Sequence, residues 1–259
     1  MSKLIDRLNQ VTKVVSKPIG FGKAQSATTK ARMLLIASLA QTTDVGRLAD
    51  YITGADALLF TKPGSGAKTL QRIAQSVSDI PWGLWLGDIG SRGIKSMVEA
   101  GGDFVVFPAN TALAVPEDDK VGKILQVEAS LSEGLLRAVN ELPVDAVLIA
   151  DEPGEESSLT WHHLMLFQRF AELLTKPLLA SVPLKVTANE LQVLWKTGVD
   201  GVVVGVGIGQ PVERFKELCQ TIGQLTFPPR PQKKVEALLP RVTEDIGAVT
   251  EEEEEEEEE

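Results

Sequence analysis

Four residues far apart in the chain carry the groups that acid–base chemistry needs: Lys62, Asp88, Glu128 and Asp151. Each stands at or near the end of a short apolar run. Lys62 follows "ADALLFT", Asp88 follows "PWGLWLG", Glu128 lies late in "KILQVEA", and Asp151 closes "VDAVLIAD". If these runs are parallel strands of one sheet, their C-terminal ends bring all four side chains to one side. A carboxylate inside a barrel needs a partner or must take a proton, so Lys62 and Glu128 are expected to form an acid–base pair tuned by burial. Asp88, Glu128 and Asp151 are equally suited to hold Mg²⁺, which takes a few carboxylates and keeps its waters. The plainer reading, also open, is a rim of solvated polar groups that includes Ser38, Gln41, Asn110, Thr111 and Glu152.

A second constellation is "GVDGVVVGVGIGQPVERF" at 198–215, where a valine run passes into Gly205, Gly207 and Gly209 and then Pro211. Glycines at a strand end allow close packing or a tight turn, or leave the backbone open to a ligand. By contrast, "TKPGSGAKT" at 61–69 is no P-loop. It has Lys62 and Ala67 where that motif requires glycines to wrap a phosphate. His162 and His163 are adjacent in a helical stretch and cannot both face one site, so they read as packing and surface. Trp82, Trp85, Trp161 and Trp195 are widely spaced and read as core or barrel wall.

The elements that must position these groups are eight short apolar runs. They are read at 33–39, 55–61, 81–87, 103–109, 123–129, 144–151, 177–182 and 199–206, spaced about 24 residues apart. Continuous rather than alternating apolar character predicts strands covered on both faces, as in a parallel sheet. Helical patterns such as "KTLQRIAQSV", "WHHLMLFQRFAELL" and "ANELQVLWKTG" lie between them. Eight strand–helix units closing on themselves make a (βα)₈ TIM barrel. A finer repeat supports this: strands two, four, six and eight open on Asp56, Asp103, Asp145 and Asp200. Glycines at the preceding helix ends, Gly54, Gly101, Gly102 and Gly198, suit a left-handed turn. These aspartates fall at the bottom of the barrel and read as structural.

Three segments follow: an N-terminal helix and lead-in (1–30), the barrel (31–225), and a tail (226–259). The tail holds a Pro-rich linker, a short helix and a glutamate run. In "LIDRLNQVTKVV", Leu4, Ile5, Leu8, Val11 and Val15 share one helical face, expected to close the barrel bottom or else to meet a membrane surface or a second copy. The formal net charge of −10 includes nine charges on Glu251–Glu259, leaving the body at −1. A near-neutral body offers no electrostatic footprint for nucleic acid. The tail is expected to be disordered by self-repulsion, its partner open. Cys219 is the single cysteine, which rules out an intrachain disulfide. No apolar run reaches the roughly 20 residues a membrane span needs, and a cytoplasmic protein is expected.

The run "GVDGVVVG" resembles the eighth-strand signature of the ribulose-phosphate-binding barrels and related phosphate-binding TIM barrels. The resemblance implies a substrate phosphate held by backbone amides after strands seven and eight and by a short helix start. Carried onto this chain, the phosphate-binding residues are Gly205, Gly207 and Gly209, with Lys185 as a point charge. The chain departs from the pattern at Val206, where a small hydroxyl residue is usual, and at Ser181-Val182-Pro183, where a glycine pair is usual. "TANE" at 187–190 reads as a capping box that occupies Thr187. Three functions stay open: a lyase, isomerase or transferase on a phosphorylated small molecule, a non-catalytic binding or scaffold barrel, and an FMN-binding barrel. The sequence leaves homo-oligomerisation open.

Overall fold

The computed structural model describes residues 2–14, 32–39, 53–61, 67–77, 79–87, 91–112, 120–150, 158–206, 212–228 and 230. Eight strands form a closed, wholly parallel barrel in chain order: β1 (Leu34–Leu39), β2 (Ala57–Phe60), β3 (Trp82–Trp85), β4 (Phe104–Pro108), β5 (Gly122–Val127), β6 (Ala146–Ile149), β7 (Leu178–Val182) and β8 (Gly201–Val206). Seven described helices accompany them: α1 (Lys3–Val14), α2 (Ala67–Ser76), α3 (Ser91–Glu99), α4 (Glu133–Val139), α5 (Trp161–Leu173), α6 (Ala188–Lys196) and α7 (Val212–Gln224). All eight expected strands are present, most with trimmed ends, while β5 begins one residue early, at Gly122. The acidic tail lies outside the described residues.

The bottom of the barrel is fixed by a repeated aspartate contact. The backbone N–H groups of Asp56, Asp103, Asp145 and Asp200 donate to the carbonyls of Leu35, Trp82, Lys123 and Leu178, each at 2.8 Å. In three cases the carboxylate returns the bond. Leu35 N–H donates to Asp56 at 2.9 Å, Lys123 N–H to Asp145 at 2.7 Å, and Leu178 N–H to Asp200 at 2.8 Å. Each aspartate therefore clasps the start of an even strand to the odd strand before it. Gly54, Gly101 and Gly198 precede three of them at φ of 104°, 85° and 105°, the left-handed conformation that glycine adopts without penalty. The fourth turn, before Asp145, lacks a glycine. There Lys176 Nζ donates to the carbonyls of Leu142 and Val144, at 2.5 and 2.7 Å, and holds the turn instead.

Asp103 spends its carboxylate differently. It accepts from the Ser2 hydroxyl at 2.7 Å and from the N–H groups of Lys3 and Leu4 at 2.7 and 3.0 Å, and so caps α1. Leu4, Ile5, Leu8 and Val11 are buried, and Ile5 and Ser2 crowd the space where Gly122 has no side chain. The N-terminal helix thus closes the barrel bottom, and its apolar face is already used. With these four residues buried, the described part of that face is not free for a membrane or a second copy; Val15 lies outside the described residues.

Two further expectations change. The Pro-rich stretch read as a stiff linker is docked where it is described: Phe227 is buried against Trp195, with ring centroids 5.0 Å apart, and Trp195 Nε1 donates to the Pro228 carbonyl at 2.8 Å. Arg230 stacks over the Trp195 ring at 3.8 Å and pairs with Asp200 at 2.6 Å, the two side chains being only 10% and 5% exposed. Burial pulls the Arg230 guanidinium below its usual value while Asp200 pulls it back up. Trp161, expected in the core, is 82% exposed at the first position of α5. A helix start can satisfy the heptad-like pattern while its first turn stands clear of the neighbouring elements.

Removing one member of a buried ion pair strands the other, at a cost of about 3–5 kcal/mol. Asp200→Ala is therefore expected to lower unfolding stability by about that amount in urea titrations, and a loss below about 1 kcal/mol would contradict the clasp. Cys219 packs against Gly54, where an added Cβ would lie 2.7 Å from the Cys219 Cβ. Burial pushes its thiol up from 9.0 to about 11. Iodoacetamide at pH 8 should then label the native protein tens of times more slowly than the urea-unfolded chain, since the thiolate is the nucleophile. Equal rates would show that the thiol is not shielded.

Candidate functional site

Trp85 Nε1 donates to Gln126 Oε1 at 2.5 Å across β4, which lies between their strands, so both side chains point into the barrel. The register then carries the inward face around the ring. Ser38 pairs with Leu59 and Gly205, Gly83 with Phe104, Gln126 with Leu148, and Leu148 with Leu179. Because the strands tilt, inward residues stack in layers of four drawn from alternate strands. The lower layers are Ala57, Phe104, Ala146 and Gly201; then Ile36, Gly83, Ile124 and Leu179; then Leu59, Val106, Leu148 and Val203. All twelve are buried. Phe104 fills the space that Gly83 leaves, a Cβ there falling 2.5 Å from its ring. These layers are a packed plug.

The next layer changes character. Ser38, Trp85, Gln126 and Ser181 are all half-buried and all carry a hydrogen-bonding group. Above them stand Thr61, Pro108, Ala150 and Gly205. Thr61 N–H and Ala150 N–H continue the ladder to Leu39 and Val127, at 3.0 and 3.2 Å. A polar floor at the C-terminal ends of the strands is where such a barrel presents a site.

Gly205 is the informative rim residue. A Cβ built on it meets nothing within 4 Å among the described residues, and its backbone is not left-handed. Gly201, four residues earlier, is different: a Cβ there would fall 2.8 Å from Leu179 Cδ2 and 3.1 Å from the Leu34 carbonyl. Packing explains Gly201. Among the described residues neither packing nor a turn explains Gly205, whose exposed backbone lies beside Ser38 at the C-terminal end of the barrel.

The other expected site residues divide. Lys62, Asp88, Asp151, Gly207 and Gly209 lie outside the described residues, as do Gln41 and Glu152. Glu128 does not enter the barrel. The strand ends at Val127, and Glu128 sits exposed in the turn that follows, its carbonyl accepting from Leu131 N–H at 3.1 Å and its carboxylate from the Ser130 hydroxyl at 3.2 Å. The inward polar group of β5 is Gln126, so the expected buried carboxylate is corrected to a neutral amide. Lys185 is exposed in the turn between β7 and α6. Thr187 is occupied as expected: it accepts from Glu190 N–H at 3.3 Å, while Glu190 accepts from Thr187 N–H at 2.7 Å. Thr160 opens α5 in the same way with His163, whose Nδ1 accepts from Thr160 N–H at 2.9 Å. His163 is a capping residue. Among the described residues no three His, Cys, Asp or Glu side chains converge as a metal site requires.

Trp85, Ser38 and Ser181 were visible in the sequence only as separate polar or aromatic residues. Their convergence depends on strand register around a closed ring, which no local pattern records. Arg169 is another partner without a local signal. From α5 its Nη2 donates to the carbonyls of Ala129 and Leu131, at 2.8 and 3.2 Å, and fixes the turn that carries Glu128.

The closed, wholly parallel ring of eight strands gives this chain a TIM-barrel fold. It is similar to a mutant tryptophan synthase alpha-subunit from Pyrococcus furiosus, with 14% identity over 74% of this chain and 97% of that one, at a TM-score of 0.59. It is also similar to thiamine phosphate pyrophosphorylase from Pyrococcus furiosus, with 13% identity over 74% of this chain and 96% of that one, at a TM-score of 0.57. Tryptophan synthase from M. tuberculosis in an open form matches with 14% identity over 86% of this chain and 97% of its own, at a TM-score of 0.58. No protein-family model matches the chain, and no curated protein matches it by sequence.

The two glycines of β8 give opposite expectations for stability. Gly201→Ala overpacks a buried layer and should cost about 1–3 kcal/mol. Gly205→Ala should be neutral or stabilise by up to about 1 kcal/mol, because only the unfolded chain loses freedom. Equal losses in urea titrations would show that Gly205 is a packing glycine.

Proposed function

We propose that this chain is an enzyme acting on a phosphorylated small molecule bound at the C-terminal mouth of the barrel, as a lyase, isomerase or transferase. The observation that carries the reading is Gly205, a rim glycine that neither its backbone conformation nor packing against any described residue requires. An absent side chain there lets a ligand reach the backbone, and a phosphate is the group that backbone amides at a strand end and helix start bind best. Gly207 and Gly209, two and four residues further along the chain, are assigned to the same phosphate site, and the exposed Lys185 adds a positive charge from the turn after β7. The names of the similar structures, an alpha-subunit of tryptophan synthase and a pyrophosphorylase for thiamine phosphate, agree with small-molecule chemistry on this fold.

The acid–base work is assigned to Lys62, Asp88 and Asp151, which follow the ends of β2, β3 and β6 in the chain. Asp88 and Asp151 are also the residues that would hold Mg²⁺. Glu128, held by Ser130 in an exposed turn, is the least suited of the four to tuned proton transfer and fits a rim ligand better. One observation favours a second reading, a barrel that binds a phosphorylated compound without transforming it: the inward polar layer contains no ionisable side chain.

Ligand that binds only the native state stabilises it by mass action, by about 1.4 kcal/mol at ten times Kd. For a domain of this size that raises Tm by about 3–5 °C. Inorganic phosphate is expected to produce such a shift, and Gly205→Ala to abolish it while leaving the unliganded Tm unchanged or higher. A shift that survives in Gly205→Ala, or none with phosphate in the native sequence, would overturn the reading.

A further inference from the structure

We infer that Ser38, Trp85, Gln126 and Ser181 form a subsite that accepts the uncharged, hydrogen-bond-accepting end of the ligand and disfavours an ionised one. This rests on the phosphate reading above, since it concerns what lies on the far side of the phosphate. Below this layer the barrel interior is apolar throughout. Four hydrogen-bonding side chains on top of such a plug cost free energy unless something meets them.

The bond between Trp85 and Gln126 fixes what they can meet. An indole N–H can only donate, so Gln126 must turn its Oε1 to Trp85. Its Nε2 then presents N–H donors upward or across the mouth, and no described residue accepts them. The hydroxyls of Ser38 and Ser181 are likewise without a hydrogen bond to any described residue. Gly205, directly beside Ser38 in the register, puts no side chain over the layer, and a Cβ there would meet no described residue within 4 Å.

The subsite is thus a set of neutral donors against one indole. Neutral donors match a hydroxyl or carbonyl oxygen. They do not repay the desolvation of a carboxylate as a cation would, and the layer holds no cation. The Trp85 ring adds an apolar wall that suits carbon, not charge.

Glycerol 3-phosphate and 3-phosphoglycerate test this, because they share a phosphate and a backbone and differ in a hydroxymethyl against a carboxylate. Affinities for both, and for inorganic phosphate, are measured by calorimetry. Glycerol 3-phosphate is expected to bind at least about tenfold more tightly than 3-phosphoglycerate. Gln126→Met should weaken glycerol 3-phosphate about tenfold and leave inorganic phosphate unchanged. Trp85→Phe, which frees the Gln126 amide, should reduce the preference between the two phosphoesters without removing phosphate binding, and covers the case in which Gln126→Met fails to fold. Equal affinities for the two phosphoesters, or a preference that both variants keep, overturn the inference while phosphate binding stands. No binding of inorganic phosphate removes the phosphate reading itself, and this inference with it.

Discussion

The structure depends on the clasp between each bottom aspartate and the strand before it. A parallel barrel has no hairpins to set its register, and a slip of one residue would turn every inward side chain outward. Asp56, Asp145 and Asp200 each make a bond through the backbone N–H and another through the carboxylate to one residue of the preceding strand. That two-point contact admits one register only. Asp103 keeps the backbone half and lends its carboxylate to α1, which ties the closure of the barrel bottom to the same repeat.

From register follows everything at the other end. It sets which residues stack, so Phe104 meets Gly83 and Leu179 meets Gly201. It also puts Ser38, Trp85, Gln126 and Ser181 at one height. The burial cost of the clasps is visible at Asp56, whose carboxyl is raised above its usual range by desolvation although Leu35 N–H, Arg32 and Arg7 draw it down. At Asp200 the answer is a buried arginine delivered by the segment after α7, which makes that segment part of the barrel rather than a tether.

The fold was legible because its signals are local. Apolar runs, the aspartate that opens every second strand, and the glycines two residues before three of those aspartates all lie within a few positions of one another. The site was legible only in part. Glu128 was misjudged because "KILQVEA" continues a strand-like pattern for two residues after the ladder ends at Val127. The inward layer was not legible, since its members come from four strands spread over more than half of the chain. The docking of Arg230 on Asp200 was hidden for the same reason: prolines on either side look like a linker until their neighbours in space are known. Gly205 lay in view from the start, but only the contrast with Gly201 sets it apart from a glycine packed against the described residues.

Each end of the barrel carries an indole N–H with a defined hydrogen-bond partner. Trp85 bonds to Gln126 at the mouth, and Trp195 bonds to Pro228 at the bottom. A phosphate titration followed on the indole N–H resonances, assigned with Trp85→Phe and Trp195→Phe, therefore reads which end receives the ligand. The Trp85 resonance is expected to move with saturation while that of Trp195 stays fixed. Movement of Trp195 with Trp85 unchanged would place the ligand at the wrong end and contradict the assignment of the site.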